Sequence, residues 1–456
     1  MKKALKFMLT LGIVFSLTAC GSSQQPQEST ASSEASGEEA SVQETQASQE
    51  IEAVAEEGDN EIVFWSMLGG GDGELIDAMI EEYNAMDTGY TVKHYIQDWG
   101  EYYNKLSFSV LSGEAPDVCI SHVTRLMQLA DQGVIEPLSE INGAESINWD
   151  DFINDVDKNA QVDGVAYAVP FDFHGFLLFY NTRLLTEAGV ISSPDEKPEI
   201  NSFDDLLAAL DKVKTLEVNT NDDNNDDVWP LGLQTDGDVP YKVWYTFYLQ
   251  LGGASLLSDD GNELTIDDEA SQEAIEALLT LYNDGYAGVY NNQWEDFKAG
   301  RSAFVINLTS DLYAFNTALE GDMGVMSFPQ LFDNQKTFAD SHSFVFPVQE
   351  SRTPQKEQAI IDFVDWMVNS GKWMQTGHFP TTKTVFESAE YNALPFVQDY
   401  KDSVNNLTYM SGSKKCWLLS PAKTLQNFEQ IYADRATITS EDAAALIHEG
   451  LATDNQ

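Results

Sequence analysis

Between residues 61 and 133 the chain alternates three times between a short apolar run and an amphipathic stretch. That alternation restricts the fold more than any other feature of the sequence. Residues 61–65, Glu-Ile-Val-Phe-Trp, have the β-branched and aromatic content of a strand. A glycine-rich loop occupies 69–73, and residues 74–86 place Leu75, Met79 and Tyr83 on one helical face. Residues 90–96 read as a second strand and 102–111 as a second helix. Pro116 precedes a third strand over 117–121, and a third helix over 123–132 stops at Gly133. A βαβαβα order predicts a mostly parallel sheet with helices on its faces, hence an α/β class. Further on, residues 165–180 form a long apolar and aromatic stretch broken by Pro170, Asp172 and His174. Helices fit 203–216, 270–284, 355–369 and 440–449, and no internal repeat is evident.

The N-terminal 59 residues have a different character. Lys2, Lys3 and Lys6 precede an apolar run over 7–17, about eleven residues, which is short of the roughly 20 that a spanning helix needs. This is the pattern of a secretory signal peptide over 1–19. It ends in Leu17-Thr18-Ala19-Cys20-Gly21, which resembles the bacterial lipobox, where cleavage precedes a Cys that is then acylated. Cys20 is thus the expected lipid attachment site. Residues 21–59 are rich in Ser, Glu, Gln and Ala, hold no Lys or Arg, and predict a disordered tether. The folded part, from about 60 to 456, is long for one core and predicts two lobes.

The chain carries 75 Asp and Glu against 24 Lys and Arg, a formal charge of −51. Such a surface disfavours nucleic acid and anionic head groups as partners and favours solubility. Of three cysteines, Cys119 sits in an apolar strand pattern and Cys416 stands alone. A disulfide between them is the alternative to two free thiols, and no cysteine spacing fits a zinc site.

Several segments in order resemble the extracellular solute-binding proteins of ATP-driven importers, especially the carbohydrate class related to maltose-binding protein. They are Val63-Phe-Trp-Ser66; Ala115-Pro-Asp-Val118 with Leu129-Ala-Asp-Gln-Gly133; Gly164-Val-Ala-Tyr-Ala-Val-Pro170 with Phe179-Tyr-Asn-Thr182; Lys298-Ala-Gly-Arg-Ser-Ala303; Gly324-Val-Met-Ser-Phe-Pro329; and Ala359-Ile-Ile-Asp-Phe-Val364. The resemblance implies a two-lobed periplasmic-binding-protein-like fold of type II, with the ligand in a cleft between lobes. Its crossings map near Tyr167–Val169, near Met326 and near Trp366–Gly371. Lobe one is then expected over 60–167 plus 327–367, and lobe two over 168–326 plus 368–456.

A sugar presents C–H faces and a rim of hydroxyls, so its site needs aromatic platforms and a few polar groups. Trp65 and Ser66 end the first strand, where doubly wound sheets bind ligands. Asp72 in the glycine loop is a hydroxyl-binding candidate or a plain helix-entry residue, and Trp99 before the second helix is a stacking candidate. The loop lacks the Lys-Ser or Lys-Thr of a phosphate cradle. The resemblance adds His122 and Arg125 after the third strand, Asp172 and His174 after the first crossing, the aromatic pair Tyr241 and Trp244, Asn307 and Ser310 at a strand end, and His342 and His378. For the buried polar positions a satisfied structural role is the alternative.

Asn219, Asn221, Asp223, Asn225 and Asp227 place oxygen side chains at alternate positions, like the start of a calcium loop. The usual Gly and terminal Glu are missing, and an acidic surface loop is the alternative. No cofactor is required by any motif. There is no Gly-x-Ser-x-Gly, His-Glu-x-x-His or Walker loop, so a binding protein is expected rather than an enzyme, with a glycosidase or a sensor module as rivals. The expectation is a lipid-anchored, extracytoplasmic, monomeric protein that captures a sugar or another solute by lobe closure and delivers it to an ABC permease.

Overall fold

The computed structural model describes residues 60–220, 227–235, 237–288, 292–349, 352–410 and 412–456. These belong to one unit, Val54–Gln456. The expected signal peptide, Cys20 and the tether lie outside the described residues, as do Asn221, Asp223 and Asn225. No helix among the described residues is long and apolar enough to cross a membrane.

The alternation read from the sequence is present as β1 (Glu61–Ser66), α1 (Gly70–Ala85), β2 (Thr91–Ile96), α2 (Tyr102–Ser112) and β3 (Val118–His122). β1 is flanked by β2 and β3, both parallel to it, with Phe64 opposite Val118 and Trp65 opposite Cys119. Five of its six residues are buried, the near-continuous apolar run of a strand covered on both faces. The third helix opens as a 3₁₀ turn, Val123–Arg125, before its regular part, Leu126–Asp131. Next come β4 (Ala168–Pro170), β5 (Asp172–Asn181), β6 (Trp229–Gly232), α3 (Val239–Gln250), β7 (Ser302–Leu308), β8 (Met323–Ser327), β9 (Thr337–Asp340), β10 (His342–Val345), α4 (Pro354–Asn369), β11 (Phe379–Pro380) and β12 (Leu407–Tyr409).

These strands form two sheets. The first has the order β2-β1-β3-β10-β4, with β10 antiparallel to β3 so that His342 stands opposite His122. The second has the order β12-β9-β5-β7-β6, with β8 and β11 also paired to β5. β5 is the axis of the second sheet, and all ten of its residues are buried. Phe173, Leu177 and Phe179 pack into the core shared with the first sheet, whereas Phe176, Leu178 and Tyr180 enter a second core. This is the period-two alternation of a strand buried on both faces. Gly175 is required where β9 crosses β5, since a Cβ there would lie 2.7 Å from the Phe338 carbonyl oxygen.

The chain passes between sheets at Phe171, between β4 and β5, and at Ser341, between β9 and β10. It passes a third time in the segment 370–378 leading from α4 to β11. The second crossing therefore departs from expectation. Met326 lies inside β8, held to Leu178 in the second sheet, and residues 327–340 remain on that side. Cys119 and Cys416 are both free. Burial pushes the Cys119 thiol up to about 12, as an inert core cysteine requires.

Candidate ligand-binding site at the crossing segments

Each crossing delivers polar side chains to one place. Asp172 and His174 open β5, His342 opens β10, and His378 immediately precedes β11. His122 at the end of β3 joins them through the β3–β10 pairing. Four of the six histidines in the chain thus converge, with ring centroids 4.6 Å apart for His174 and His342, 5.0 Å for His122 and His342, and 5.6 Å for His342 and His378. Asp172 is the hub. Its Oδ1 accepts the His342 backbone N–H at 3.0 Å, and its Oδ2 accepts the Trp373 indole N–H at 2.6 Å and pairs with His342 Nδ1 at 2.8 Å. His174 Nδ1 lies 3.4 Å from Oδ1. Phe171, Trp373 and His378 stack in sequence, at 5.1 Å for each neighbouring pair, which fixes the His378 ring plane.

Burial dominates the electrostatics of this cluster. It raises the Asp172 carboxyl, but His342 and His378, with hydrogen bonds from His174 and His342, hold it well below the usual carboxylate range. Burial depresses His342 too, and Asp172 overcomes it, leaving His342 raised. At His122, His174 and His378 burial outweighs the help of Asp172, so His122 and His174 are lowered and His378 is pushed down to about 3. The arrangement is one ion pair surrounded by neutral imidazoles. Two further carboxyls border it. Burial pushes Asp72, in the first turn of α1, up to about 6, with His342 opposing and Asp172 adding to the rise. Burial pushes Asp311 up to about 7, countered by the Trp294 indole N–H at 3.0 Å and reinforced by Asp72.

An aromatic edge adjoins the cluster. Trp99 is 43% exposed, its ring 5.0 Å from Trp417 and 6.2 Å from His122. The Arg125 guanidinium lies over Tyr103 at 4.7 Å and over Trp417 at 5.4 Å. The Trp417 indole N–H donates to Thr124 Oγ1 at 3.2 Å, and that hydroxyl donates to Asp340 Oδ2 at 2.9 Å. The chain thereby links the first-sheet side to the end of β9 in the second sheet. Trp417, Trp373, Asp340 and Asp311 were not singled out from the sequence. Asp311 adjoins the named Ser310 and Asp340 follows two residues before His342, so proximity was the available signal. Trp417 had none beyond being aromatic.

The structure brings together Asp72, Trp99, His122, Arg125, Asp172, His174, His342 and His378. It places others apart. Tyr241 and Trp244 lie on α3, a helix whose buried residues run from Pro240 to Gln250. Such an all-round apolar helix belongs inside a core. Trp244 is fully buried, stacked on Tyr241 at 5.8 Å and Tyr248 at 5.4 Å, with its N–H donated to the Ser271 carbonyl. No ring face is left for a ligand, which corrects the reading of this pair as a platform. Trp65 is likewise a core residue. Ser66 is buried, its Oγ engaged by His94 Nε2 at 2.8 Å and the Leu68 N–H at 3.2 Å, so its hydroxyl serves the strand end. Asn307 Oδ1 accepts the neighbouring Leu308 N–H, and Ser310 lies half-buried in the turn that carries Asp311. Asn219 closes the base of its loop, with Oδ1 accepting the Val228 N–H and Nδ2 donating to the Val213 and Val228 carbonyls. Asp227 is exposed. A groove of about 570 Å³ bordered by Ile191, Lys197, Asp205 and Lys212 shares no residue with the cluster.

Two α/β sheets joined by three crossings, with polar and aromatic residues from both sides meeting at the junction, define a two-lobed binding protein of the maltose-binding type. The chain belongs to the family of bacterial extracellular solute-binding proteins, which it matches over residues 78–398. Curated relatives include the diacetylchitobiose-binding protein DasA of Streptomyces coelicolor, 24% identical over 59% of this chain and 60% of that protein. The maltotriose-binding protein of Pyrococcus abyssi is 20% identical over 79% and 75%. The chain thus spans about three fifths of the first of these relatives. Among solved structures, the GacH receptor of Streptomyces glaucescens, studied unliganded and with acarbose, superposes with a TM-score of 0.71 at 19% identity, covering 86% of this chain and 98% of the other. UgpB of Mycobacterium tuberculosis in complex with glycerophosphocholine gives 0.72 at 18% identity, over 87% and 98%. These likenesses establish the fold.

Proposed function

We propose that the protein captures a sugar or short oligosaccharide outside the cell, anchored by lipid at Cys20, and passes it to an ABC permease after its lobes close. The observation that carries this reading is the Trp99–Trp417 pair beside Arg125 and the histidine cluster, with contributions from both sides of the junction. Indole faces suit the C–H faces of a sugar ring, and the neighbouring imidazoles and carboxyls suit its hydroxyls. The relatives named for diacetylchitobiose and maltotriose support a glycan as ligand. On this reading the lobes divide at Phe171, at Ser341 and within 370–378. Ligand touching both lobes stabilises the closed form by its differential affinity.

Thermal shift against a panel of mono- and oligosaccharides, glycerophosphodiesters, polyamines and amino acids tests this. A ligand at about 100 times its Kd adds roughly 2.7 kcal/mol of stability, which is readily seen. A shift confined to one glycan class is expected. Silence across all glycans with a shift from a glycerophosphodiester would remove the sugar and keep solute capture.

A further inference from the structure

His378 is 1% exposed and its Nε2 has no hydrogen-bond partner. The proton inventory around it is determined by Thr376. The Thr376 hydroxyl has a single proton and donates it to the Trp373 carbonyl at 2.7 Å. Toward His378 Nδ1, 2.5 Å away, Thr376 Oγ1 is therefore the acceptor, so the His378 proton resides on Nδ1. Nε2 then carries a bare lone pair. It faces Asp172 Oδ2 at 3.8 Å, too far for a hydrogen bond. Two electron-rich atoms face each other across a buried gap, an arrangement that a cation between them would satisfy.

The surroundings suit a particular cation. Asp172, His174, His342 and His378 each offer a ligand atom, and these four atoms lie within 4.8 Å of one another. His122, His174 and Asp340 make an overlapping second set. Zinc with nitrogen and oxygen ligands at about 2.0–2.1 Å in a tetrahedron needs ligand atoms spaced about 3.4 Å apart; His342 Nδ1 and Asp172 Oδ2, now hydrogen-bonded at 2.8 Å, would release their shared proton and part slightly while the wider-spaced ligands draw in. Three imidazoles and one carboxylate select a borderline transition metal, since calcium and magnesium favour all-oxygen shells. Orienting contacts are already in place: the Trp373 indole N–H and the His342 backbone N–H fix Asp172, and Thr376 fixes His378.

We propose that this cluster is a binding site for a divalent transition-metal cation of the zinc class, held by His174, His342, His378 and Asp172. The site shares its imidazoles with the edge of the proposed solute position, and it has a consequence of its own. Its ligands come one crossing at a time, from the start of β5, the start of β10 and the approach to β11. A bound metal would cross-link all three connections between the sheets and stiffen the junction about which the lobes are proposed to close.

The test uses the full chain, stripped with a chelator and free of sugar. Zn²⁺ is titrated by calorimetry beside Mg²⁺ and Ca²⁺, and Co²⁺ by visible absorption. One Zn²⁺ per chain, intense tetrahedral Co²⁺ bands and no response to Mg²⁺ or Ca²⁺ are expected. His378→Gln should weaken Zn²⁺ at least tenfold, and Thr376→Val, which removes the group orienting His378, should weaken it about tenfold. His448→Gln, at an exposed site paired with Asp268, should leave it unchanged. Circular dichroism checks each variant; should His378→Gln fail to fold, Thr376→Val carries the comparison. Absence of Zn²⁺ binding to the stripped wild type, or binding that both variants leave untouched, overturns the site. A glycan-induced thermal shift in a protein that ignores Zn²⁺ would overturn the metal site and leave solute capture standing.

Discussion

The indole of Trp417 lies 5.0 Å from that of Trp99, tilted by 31°, so a segment near the end of the chain meets the turn before α2. Trp417 packs against both hydrophobic cores, so the contact sits at the junction. Trp417→Ala and Trp99→Ala should each weaken glycan binding by roughly ten- to hundredfold, at 1.4 kcal/mol for each factor of ten. Calorimetry with the glycan found by the panel would show it. An unchanged Kd in both variants would remove the platform.

Trp244 makes the opposite case. Its burial in the second core predicts that Trp244→Ala loses about 3–5 kcal/mol of stability through the cavity left behind. The folded fraction should bind solute with the wild-type Kd. Chemical denaturation and calorimetry on the same preparation separate the two effects, and a loss of affinity without loss of stability would contradict the placement.

Thr124 receives the Trp417 indole N–H and donates to Asp340, linking the two sides through one hydroxyl. Thr124→Val removes both bonds while keeping the shape. The expected cost is about 1–3 kcal/mol, with recovery in Thr124→Ser. Thermal denaturation measures the cost, and small-angle scattering should show a more open average shape for the Val variant alone. Equal melting of wild type and Val would mean that the link is incidental.

Asp311 gives a pH dependence. Its carboxyl is raised to about 7 in the folded protein by burial, near the Trp294 indole N–H, Asp72 and Lys298, from an ordinary 3.8. Between those values the folded state holds a proton that the unfolded state has released. The contribution of Asp311 to stability is therefore greatest below pH 4, declines as pH rises toward 7, and is constant above it. Asp311→Asn should be nearly neutral at pH 4 and stabilising at pH 8, on the order of 2 kcal/mol for a half-buried group. Melting curves at both pH values check the sign, and a variant equally stable to wild type at pH 8 would exclude the shift.

The first sheet was legible because β1 and β3 are short and apolar, and β1, β2 and β3 are separated by helices with clear faces. The second sheet was less so. β8 carries Met326 in a run that fits either side of a crossing, and only its pairing with Leu178 and Phe179 decides the matter. Tyr241 and Trp244 were read as a ligand platform because the resemblance places an aromatic pair there, whereas burial on every side of a helix depends on what packs against it. Polar residues in apolar contexts were a separate signal. Asp172, His174, His342 and His378 were each named separately, and their convergence arises from register, with β10 antiparallel to β3 and β11 antiparallel to β5. Trp417 comes from a loop with no periodicity to place it.

β5 gives alternate side chains to both cores, and this has a consequence for how the molecule can come apart. A strand that belongs to two interiors cannot be assigned to either without stripping the other of Leu177 and Phe179 or of Phe176 and Leu178. Because β5 is shared, the two interiors are coupled, and unfolding one should destabilise the other.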